Sequence, residues 1–162
     1  MFKSPALGEG MSATLLIVYH SQSGSCASLA GAVYRGARED ANVQTVLRRA
    51  VDASIADLES ASAMALVAAE NAGHLSGGAK AFLDRVFYPA IARDLLIPYA
   101  LLISAGNDGS GAVRDASRML SGIPMSAATE PMICKGEVTG LHLEQAADLG
   151  RALAAGIDMG IF

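Results

Sequence analysis

Three continuous apolar runs, each followed by a polar loop that contains glycine, constrain the fold of this chain more than any other feature. The runs lie at residues 14–19, 63–69 and 99–104, and the loops that follow them, here the first, second and third loop, lie at residues 21–26, 70–78 and 104–111. A short apolar run between turn residues is typical of a strand buried on both faces of a parallel sheet. Because the carboxyl ends of parallel strands meet at one edge, we expect the three loops to lie together there.

Segments in which apolar residues recur at helical spacing separate these strands. Helices are predicted at residues 27–37, 52–58, 79–87, 113–120 and 143–157, and two further strands at residues 43–48 and 131–134. The third helix is expected to end before Pro89, because a proline disfavours the helical conformation in the residue before it. Five strands that alternate with five helices predict an α/β fold with a doubly wound parallel sheet.

The bulk properties fit one domain. The chain has 162 residues, of which 52% are hydrophobic, and a net charge of −4. Residues 1–12 are predicted to be a flexible leader and residues 13–162 a single domain. No apolar run reaches a bilayer span and the N-terminus lacks a signal-peptide pattern, so we expect a cytoplasmic protein without a membrane partner. The acidic balance, without a basic cluster, argues against nucleic acid as a partner.

The two cysteines are not expected to form a disulfide or a metal site. Cys26 follows the first predicted strand and Cys134 ends the last, so the two lie three strands apart in the sheet order expected below. Three strand spacings amount to about 14 Å. A disulfide needs Cα atoms within about 7 Å. Neither the number of cysteines nor their spacing is typical of metal ligands.

The first loop has the composition of a phosphate-binding loop. It lies between the carboxyl end of a strand and the amino end of a helix, where free backbone N–H groups attract anions. Ser21, Ser23, Ser25 and Cys26 add hydroxyl or thiol donors, and Gly24 lets a ligand approach the backbone. The alternative is that the serines only cap the helix, and the loop alone favours neither interpretation.

Two common phosphate loops are excluded by what the sequence lacks. A Walker loop needs a lysine, and no lysine occurs between Lys3 and Lys80. The dinucleotide fingerprint needs three glycines, and the first loop contains only Gly24. The composition instead suits a terminal monophosphate held by neutral donors. The presence of two more glycine-containing loops at the same edge favours ligand binding over simple turns.

These motifs resemble those of the flavodoxin-like FMN proteins, which include flavodoxins, NAD(P)H-dependent FMN reductases and quinone reductase-like proteins. Ser21-Gln22-Ser23-Gly24-Ser25-Cys26 is similar to their Ser/Thr-x-Ser/Thr-Gly-x-Ser/Thr phosphate loop. Residues 70–77, followed by Lys80-Ala81-Phe82-Leu83-Asp84-Arg85, are similar to their second flavin loop and the helix after it. Residues 104–109 stand where the family has its third flavin loop. The resemblance implies a three-layer sandwich with a five-stranded parallel sheet of order 2-1-3-4-5.

The resemblance also implies noncovalent FMN and assigns its binding residues. The phosphate would be held by Ser21, Gln22, Ser23, Gly24, Ser25 and Cys26. The backbone of two further segments would border the flavin ring, namely Glu70, Asn71, Ala72, Gly73 and His74, and Ser104, Ala105, Gly106, Asn107, Asp108 and Gly109. No metal is implied, and no residue is assigned as an indispensable acid or base.

The implied activity is hydride transfer from NAD(P)H through FMN to a small acceptor such as a quinone. The alternative is a flavodoxin-type electron-transfer protein that docks a redox partner, although such carriers are usually strongly acidic and place aromatic rings against the flavin. A third possibility is a flavin-free domain that uses the loops for another anion or for oligomer contacts. We also expect a homodimer, because the loops of one chain would cover the ring thinly.

The sequence departs from the family pattern at three loop positions. Cys26 replaces the usual hydroxyl residue, Ala72 stands where a tyrosine is common, and Glu70 replaces a frequent proline. A carboxylate at position 70 would oppose reduction of a nearby flavin unless it pointed to solvent or was protonated.

Several polar side chains near these loops are expected to have structural roles. We expect His20 to order the loop backbone and His74 to be an exposed loop residue, although an imidazole beside the ring could donate to a substrate or to the flavin. Lys80, Asp84 and Arg85 are expected to pair within or between helical turns. His142 is expected to begin the last helix without a chemical role.

Overall fold

The computed structural model of the chain describes residues 13–162, so the leader predicted at residues 1–12 lies outside the described residues. The elements follow in the order β1 (Thr14–Tyr19), α1 (Ser25–Ala37), β2 (Gln44–Arg49), α2 (Ile55–Glu59), β3 (Ala63–Asn71), β4 (His74–Leu75), α3 (Gly77–Ala92), β5 (Tyr99–Ala105), α4 (Ser110–Gly122), β6 (Met132–Lys135) and α5 (Gly140–Asp158). No helix among residues 13–162 combines the length and the apolar character needed to cross a bilayer.

Five of the strands form the predicted parallel sheet. Their order is β2-β1-β3-β5-β6, and every neighbouring pair in this path is parallel. The expected order 2-1-3-4-5 is therefore confirmed, with β5 and β6 as its fourth and fifth strands. Helices on both faces complete the three-layer sandwich.

The structure contains one short strand that the sequence analysis treated as loop. β4 pairs antiparallel with the end of β3, so that Glu70 lies opposite Leu75 and Asn71 opposite His74. The two residues between the strands, Ala72 and Gly73, both have positive φ, at 50° and 78°. This is the geometry of a tight hairpin turn. The segment is too polar to predict a strand from apolar periodicity.

The core lies in two layers, because successive residues of a strand face opposite sides of the sheet. Leu16 and Leu66 belong to the layer beneath α2, α3 and α4. Ile17 and Val67 belong to the layer beneath α1 and α5. All four side chains are at most 1% exposed. The continuous apolar runs of β1 and β3 are thus explained by burial on both faces.

Glycines allow α1 and α5 to pack with their backbones in close contact. A Cβ atom at Gly36 of α1 would lie 2.0 Å from the carbonyl oxygen of Ala147. A Cβ atom at Gly150 of α5 would lie 2.0 Å from the carbonyl oxygen of Val33. Neither position can accept a side chain without separating the helices, so this contact fixes α5 against the helix that follows the first loop.

The prediction that the third helix ends before Pro89 is wrong. α3 continues through Pro89 to Ala92, and the backbone N–H of Arg93 donates to the Pro89 carbonyl oxygen at 3.2 Å. Ala90 is fully buried in the core layer beneath α3. Tertiary packing of this last turn therefore outweighs the local preference of the residue before proline.

Both cysteines are free, as expected, but the reason given from sequence is wrong. Cys26 lies in the first turn of α1 and not at the end of β1. α1 packs over the sheet, and Cys26 and Cys134 belong to the same core layer. The Cys26 thiol bonds to the backbone of Ser104 on β5, and Ser104 lies opposite Cys134 on β6, so the two thiols are not separated by three strand spacings.

Candidate functional site

The three loops meet at one edge of the sheet, as predicted. They follow β1, β3 and β5, which are adjacent and parallel. Gln22 and Ser23 in the first loop, the residues 71–74 in the second and the residues 106–108 in the third are all exposed. A continuous polar edge therefore lies above the middle of the sheet, at the carboxyl ends of its central strands.

The first loop presents backbone donors. Gly24, with φ of 101°, immediately precedes α1. Its N–H donates to Ser21 Oγ at 3.1 Å, which closes the turn. Among residues 13–162 no acceptor is recorded for the N–H groups of Ser25, Cys26 and Ala27 in the first turn of the helix. Free N–H groups at a helix N-terminus, together with the helix dipole, favour an anion.

The side chains of the first loop differ in whether they reach the surface, where a ligand could contact them. Ser23 and Ser25 lie close together, with their Oγ atoms 3.4 Å apart, and both remain near the surface. The side chain of Cys26 is only 2% exposed. Burial raises the pKa of the Cys26 thiol to about 11. The expectation that this thiol adds a donor at the loop surface is wrong, because the side chain points into the core.

The first and second loops are joined by side-chain contacts. Asn71 Nδ2 donates to Gln22 Oε1 at 3.0 Å. His20 Nδ1 lies 3.0 Å from Ser76 Oγ, and Ser76 is fully buried. A Cβ atom at Gly78 would lie 2.1 Å from the His20 ring, so the ring packs on the helix backbone there. The side chain of His20 thus contacts the second loop and α3, and its predicted ordering of the loop backbone stays a prediction.

Glu70 joins the second loop to the start of α4. Its Oε2 accepts hydrogen bonds from the backbone N–H groups of Gly111 and Ala112, at 2.9 and 3.2 Å. A carboxylate at a helix N-terminus is stabilised by the free N–H groups and by the helix dipole. The negative charge of Glu70 is therefore directed to the N-terminus of α4 and not to solvent, an arrangement that the sequence analysis did not foresee.

His74 and Leu75 of β4 also contact α4, through Asp115. Asp115 Oδ2 accepts from the Leu75 backbone N–H at 3.0 Å and lies 3.1 Å from His74 Nδ1. The hydrogen bond from Leu75, followed by that from His74, holds the pKa of Asp115 below its usual value. The His74 side chain is 69% exposed, which agrees with the expectation of an exposed loop histidine. Sequence reasoning missed Asp115, which lies 40 residues from Leu75 in the chain.

Hydrogen bonds between its own residues stabilise the third loop. Asp108 Oδ1 accepts from the backbone N–H of Ser110 at 3.0 Å and from its Oγ at 2.9 Å. These hydrogen bonds, with a weaker contribution from the charge of Lys135, lower the pKa of Asp108. Gly109 has φ of 74°, and a Cβ atom there would lie 2.8 Å from Ile133 Cγ2. Gly106 and Asn107 are left exposed at the tip.

At least one glycine in each of the three loops is uncovered. A Cβ atom at Gly24, Gly73, Gly77 or Gly106 would meet no other described atom within 4 Å. The loops therefore border free volume and do not fill it with their own side chains.

Charged residues of α3 lie near the site but differ in their partners. Lys80 Nζ bonds to Asp84 Oδ1 at 2.7 Å, which confirms the predicted pairing within the helix. Arg85 does not pair in this way and instead donates to the backbone carbonyl oxygen of Ala53 at 2.9 Å. The expectation for Arg85 is therefore wrong.

His142 has the structural role expected for it. It lies in the first turn of α5, where its backbone N–H donates to Thr139 Oγ1 at 3.3 Å and its Nδ1 accepts from the Thr139 N–H at 3.2 Å. No cluster of potential metal ligands occurs within residues 13–162. The part of the chain that the structure describes thus gives no indication of a metal centre.

Comparison with known proteins supports the fold. No family model and no curated protein sequence matches the chain significantly. Among solved structures, a flavodoxin from the domain Archaea has a TM-score of 0.79 and 19% identity, covering 90% of this chain and 99% of that one. A WrbA-like flavodoxin from Agrobacterium tumefaciens has a TM-score of 0.75 and 20% identity, covering 91% and 99%.

The same domain also resembles part of a larger protein. The flavodiiron protein from Giardia intestinalis matches with a TM-score of 0.77 and 21% identity. The match covers 92% of this chain but only 37% of the flavodiiron chain. These similarities show that the chain has the flavodoxin fold.

Proposed function

We propose that the three loops bind FMN noncovalently and that the protein is an FMN-dependent oxidoreductase, which transfers hydride from NAD(P)H to a quinone-like or other small acceptor. The observation that carries the proposal is the first turn of α1. There, beside Gly24, the N–H groups of Ser25, Cys26 and Ala27 have no recorded acceptor within residues 13–162. Such a group of neutral donors matches a terminal phosphate.

The residues of the chain would act mainly by binding FMN and holding it in one orientation. The first loop would hold the phosphate through backbone N–H groups and the hydroxyls of Ser23 and Ser25. The turn at Ala72 and Gly73 and the tip at Gly106 would border the ring through their backbone. When bound, FMN supplies the hydride chemistry, which no side chain of the site provides. The contact of Glu70 with the start of α4, and that of Leu75 with Asp115 of α4, would keep the second and third loops at a fixed separation.

The composition of the loops favours an enzyme over an electron carrier. The three loops contain no phenylalanine, tyrosine or tryptophan, and the whole chain contains no tryptophan. A flavin ring bordered only by backbone and small side chains leaves a face open for a nicotinamide. An electron carrier gains from aromatic cover on the ring, and the net charge of −4 is modest for docking a partner by charge.

The proposal is tested by absorption spectroscopy and steady-state kinetics. We expect the purified chain to be yellow, or to become so with added FMN, and to release the flavin on heating. We then expect continuous NAD(P)H consumption in the presence of a quinone. A protein that binds FMN but takes up electrons only one at a time, without such turnover, would instead be a carrier. A protein that stays colourless in excess FMN, with an unchanged melting temperature, would overturn both.

Two further expectations belong to the same proposal. We propose that two copies associate, so that each covers the outer face of the partner's flavin, and that the protein works in the cytoplasm. Size-exclusion chromatography with light scattering, with and without FMN, measures the first. A monomer under both conditions would contradict it.

A further inference from the structure

A separate cavity lies beside the first loop, on the side of β2. Its volume is about 370 Å³, which is within the range of small-molecule sites. Residues from the ends of β1 and β2 and from one face of α3 line it, including Arg49, Val51, Ala81 and Arg85. Of the first loop, which the structure describes completely, only Ser21 reaches this cavity. The cavity is thus adjacent to the proposed phosphate site and distinct from it.

Arg85 is the feature of this cavity that indicates a ligand. Its Nη2 donates to the carbonyl oxygens of Ala50 and Ala53, at 2.5 and 2.9 Å, which fixes the guanidinium in position. Within residues 13–162 no carboxylate is recorded as its partner, and no acceptor is recorded for its Nε and Nη1 groups. Arg85 is therefore a fixed cation on the wall of a cavity, with donors left for an anion.

Neighbouring cations differ from Arg85 in this respect. Arg49, the last residue of β2, bonds to Asp52 at 2.8 Å. Lys80, one turn earlier on α3, bonds to Asp84. The charge of each is compensated by a carboxylate, so the excess positive charge of the cavity belongs to Arg85. The exposed side chains of Val51 and Ala81 add an apolar surface suited to a flat base.

We propose that this cavity binds a nucleotide through a phosphate monoester held by Arg85. The inference rests on the proposed function in one respect, because the nucleotide it names is the hydride donor. NADPH carries a 2′-phosphate monoester on its adenosine and NADH does not. Arg85 would thus make the protein select NADPH, with the adenosine in the cavity and the rest of the dinucleotide directed over the loop edge.

The test is a calorimetric titration of the full chain, in excess FMN, with 2′,5′-ADP and with 5′-AMP, which differs from it only in lacking the 2′-phosphate. We expect 2′,5′-ADP to bind about tenfold more tightly or better, the effect of one charge-assisted hydrogen bond. Equal binding of the two nucleotides would overturn the proposal. Displacement of 2′,5′-ADP by an equal concentration of inorganic phosphate would also overturn it, since the cavity would then hold free phosphate only.

A matched pair of variants tests whether Arg85 holds the phosphate, and it leaves the hydrogen bonds that fix the Arg85 side chain in place. Ala81→Glu places a carboxylate four residues before Arg85 on the exposed face of α3, where it can pair with the guanidinium. Ala81→Gln has nearly the same shape and no charge. We expect the preference for 2′,5′-ADP to fall about tenfold in Ala81→Glu and to persist in Ala81→Gln. The same loss in both variants, or in neither, would contradict the role of Arg85.

Kinetics and FMN binding separate this inference from the proposed function. In Ala81→Glu, compared with Ala81→Gln, we expect the ratio of KM for NADPH to KM for NADH to rise about tenfold. If Ala81→Glu weakens FMN binding as much as 2′,5′-ADP binding, the cavity serves the flavin phosphate and the inference fails. If the chain does not bind FMN at all, the proposed function fails, while the nucleotide titration still decides what the cavity binds.

Discussion

The carboxylate of Glu70 lies 2.9 Å from the backbone nitrogen of Gly111 and accepts its hydrogen bond. Because Glu70 belongs to the end of β3 and Gly111 to the first turn of α4, this contact joins the second loop to the third. The two residues are 41 positions apart in the chain. A Cβ atom at Gly111 would lie 1.7 Å from the carbonyl oxygen of Gly73, so the hairpin turn also rests on the same helix.

We predict that Glu70 stabilises the fold through this contact. Glu70→Gln should lower the free energy of unfolding by about 1 kcal/mol, since it removes the charge at the helix N-terminus. Glu70→Ala should lower it by about 2 kcal/mol, because two buried N–H groups, those of Gly111 and Ala112, lose their acceptor. Urea denaturation at neutral pH measures both. Glu137→Gln, at an exposed position with no recorded hydrogen bond in the described chain, is the control and should change little.

Asp115 should make the stability depend on pH. Its pKa in the folded protein lies below the usual value, mainly because of the hydrogen bond from the Leu75 backbone. The carboxylate therefore stabilises the fold above the unfolded-state pKa of about 3.9, and this contribution is lost as pH falls through the lowered pKa. Asp115→Asn should reduce the free energy of unfolding at pH 7 by up to about 1 kcal/mol and by less at about pH 3. An equal reduction at both pH values would contradict the ionised role of Asp115.

The contact between α1 and α5 predicts opposite effects for two glycines of the same helix. Gly36→Ala should destabilise the protein by about 3 kcal/mol or more, because the new methyl group would overlap the Ala147 backbone. Gly31→Ala, whose nearest contact would be the Arg35 Nη1 atom at 3.4 Å, should stabilise it by up to about 1 kcal/mol. Thermal and urea unfolding of both variants measures the difference. If Gly36→Ala did not destabilise the protein, α1 and α5 would be able to move apart at little cost, and the prediction would be wrong.

Those parts of the fold that depend on local pattern were predictable from the sequence. Continuous apolar runs identified β1, β3 and β5, because burial on both faces leaves no polar position in such strands. The alternation of strands and helices then predicted a doubly wound parallel sheet, and the order of its strands came from the resemblance to the flavodoxin-like FMN proteins. Convergence of the three loops followed from that order, since parallel neighbours end at the same edge.

The features that the sequence did not predict depend on contacts between distant residues. α3 continues past Pro89 because Ala90 packs into the core, and the hairpin of β4 forms although its residues are polar. The partners of Glu70 and Asp115 lie about 40 positions away in the chain, so no local spacing identifies them. Cys26 was misplaced because the direction in which α1 crosses the sheet is a tertiary property.

Gly24 provides the sharpest test of the proposed FMN site. A Cβ atom at Gly24 would meet no described atom within 4 Å beyond its chain neighbours, so a valine side chain there would extend into the space proposed for the ligand. We expect Gly24→Val to weaken FMN binding by about a hundredfold or more, measured by the change in flavin fluorescence on titration. The variant also forces valine into a φ of about 101°, which costs about 1–2 kcal/mol of stability.

Gly160→Val controls for that backbone strain. Gly160 has φ of 66°, and a Cβ atom there would also meet no described atom within 4 Å. It follows α5, whose amino end follows the carboxyl end of β6, so Gly160 lies at the opposite edge of the sheet from the three loops. We expect a similar loss of stability in this variant with unchanged FMN affinity. If both variants bind FMN as the unmodified chain does, the first loop does not hold the phosphate, because a branched side chain at Gly24 leaves no room for it.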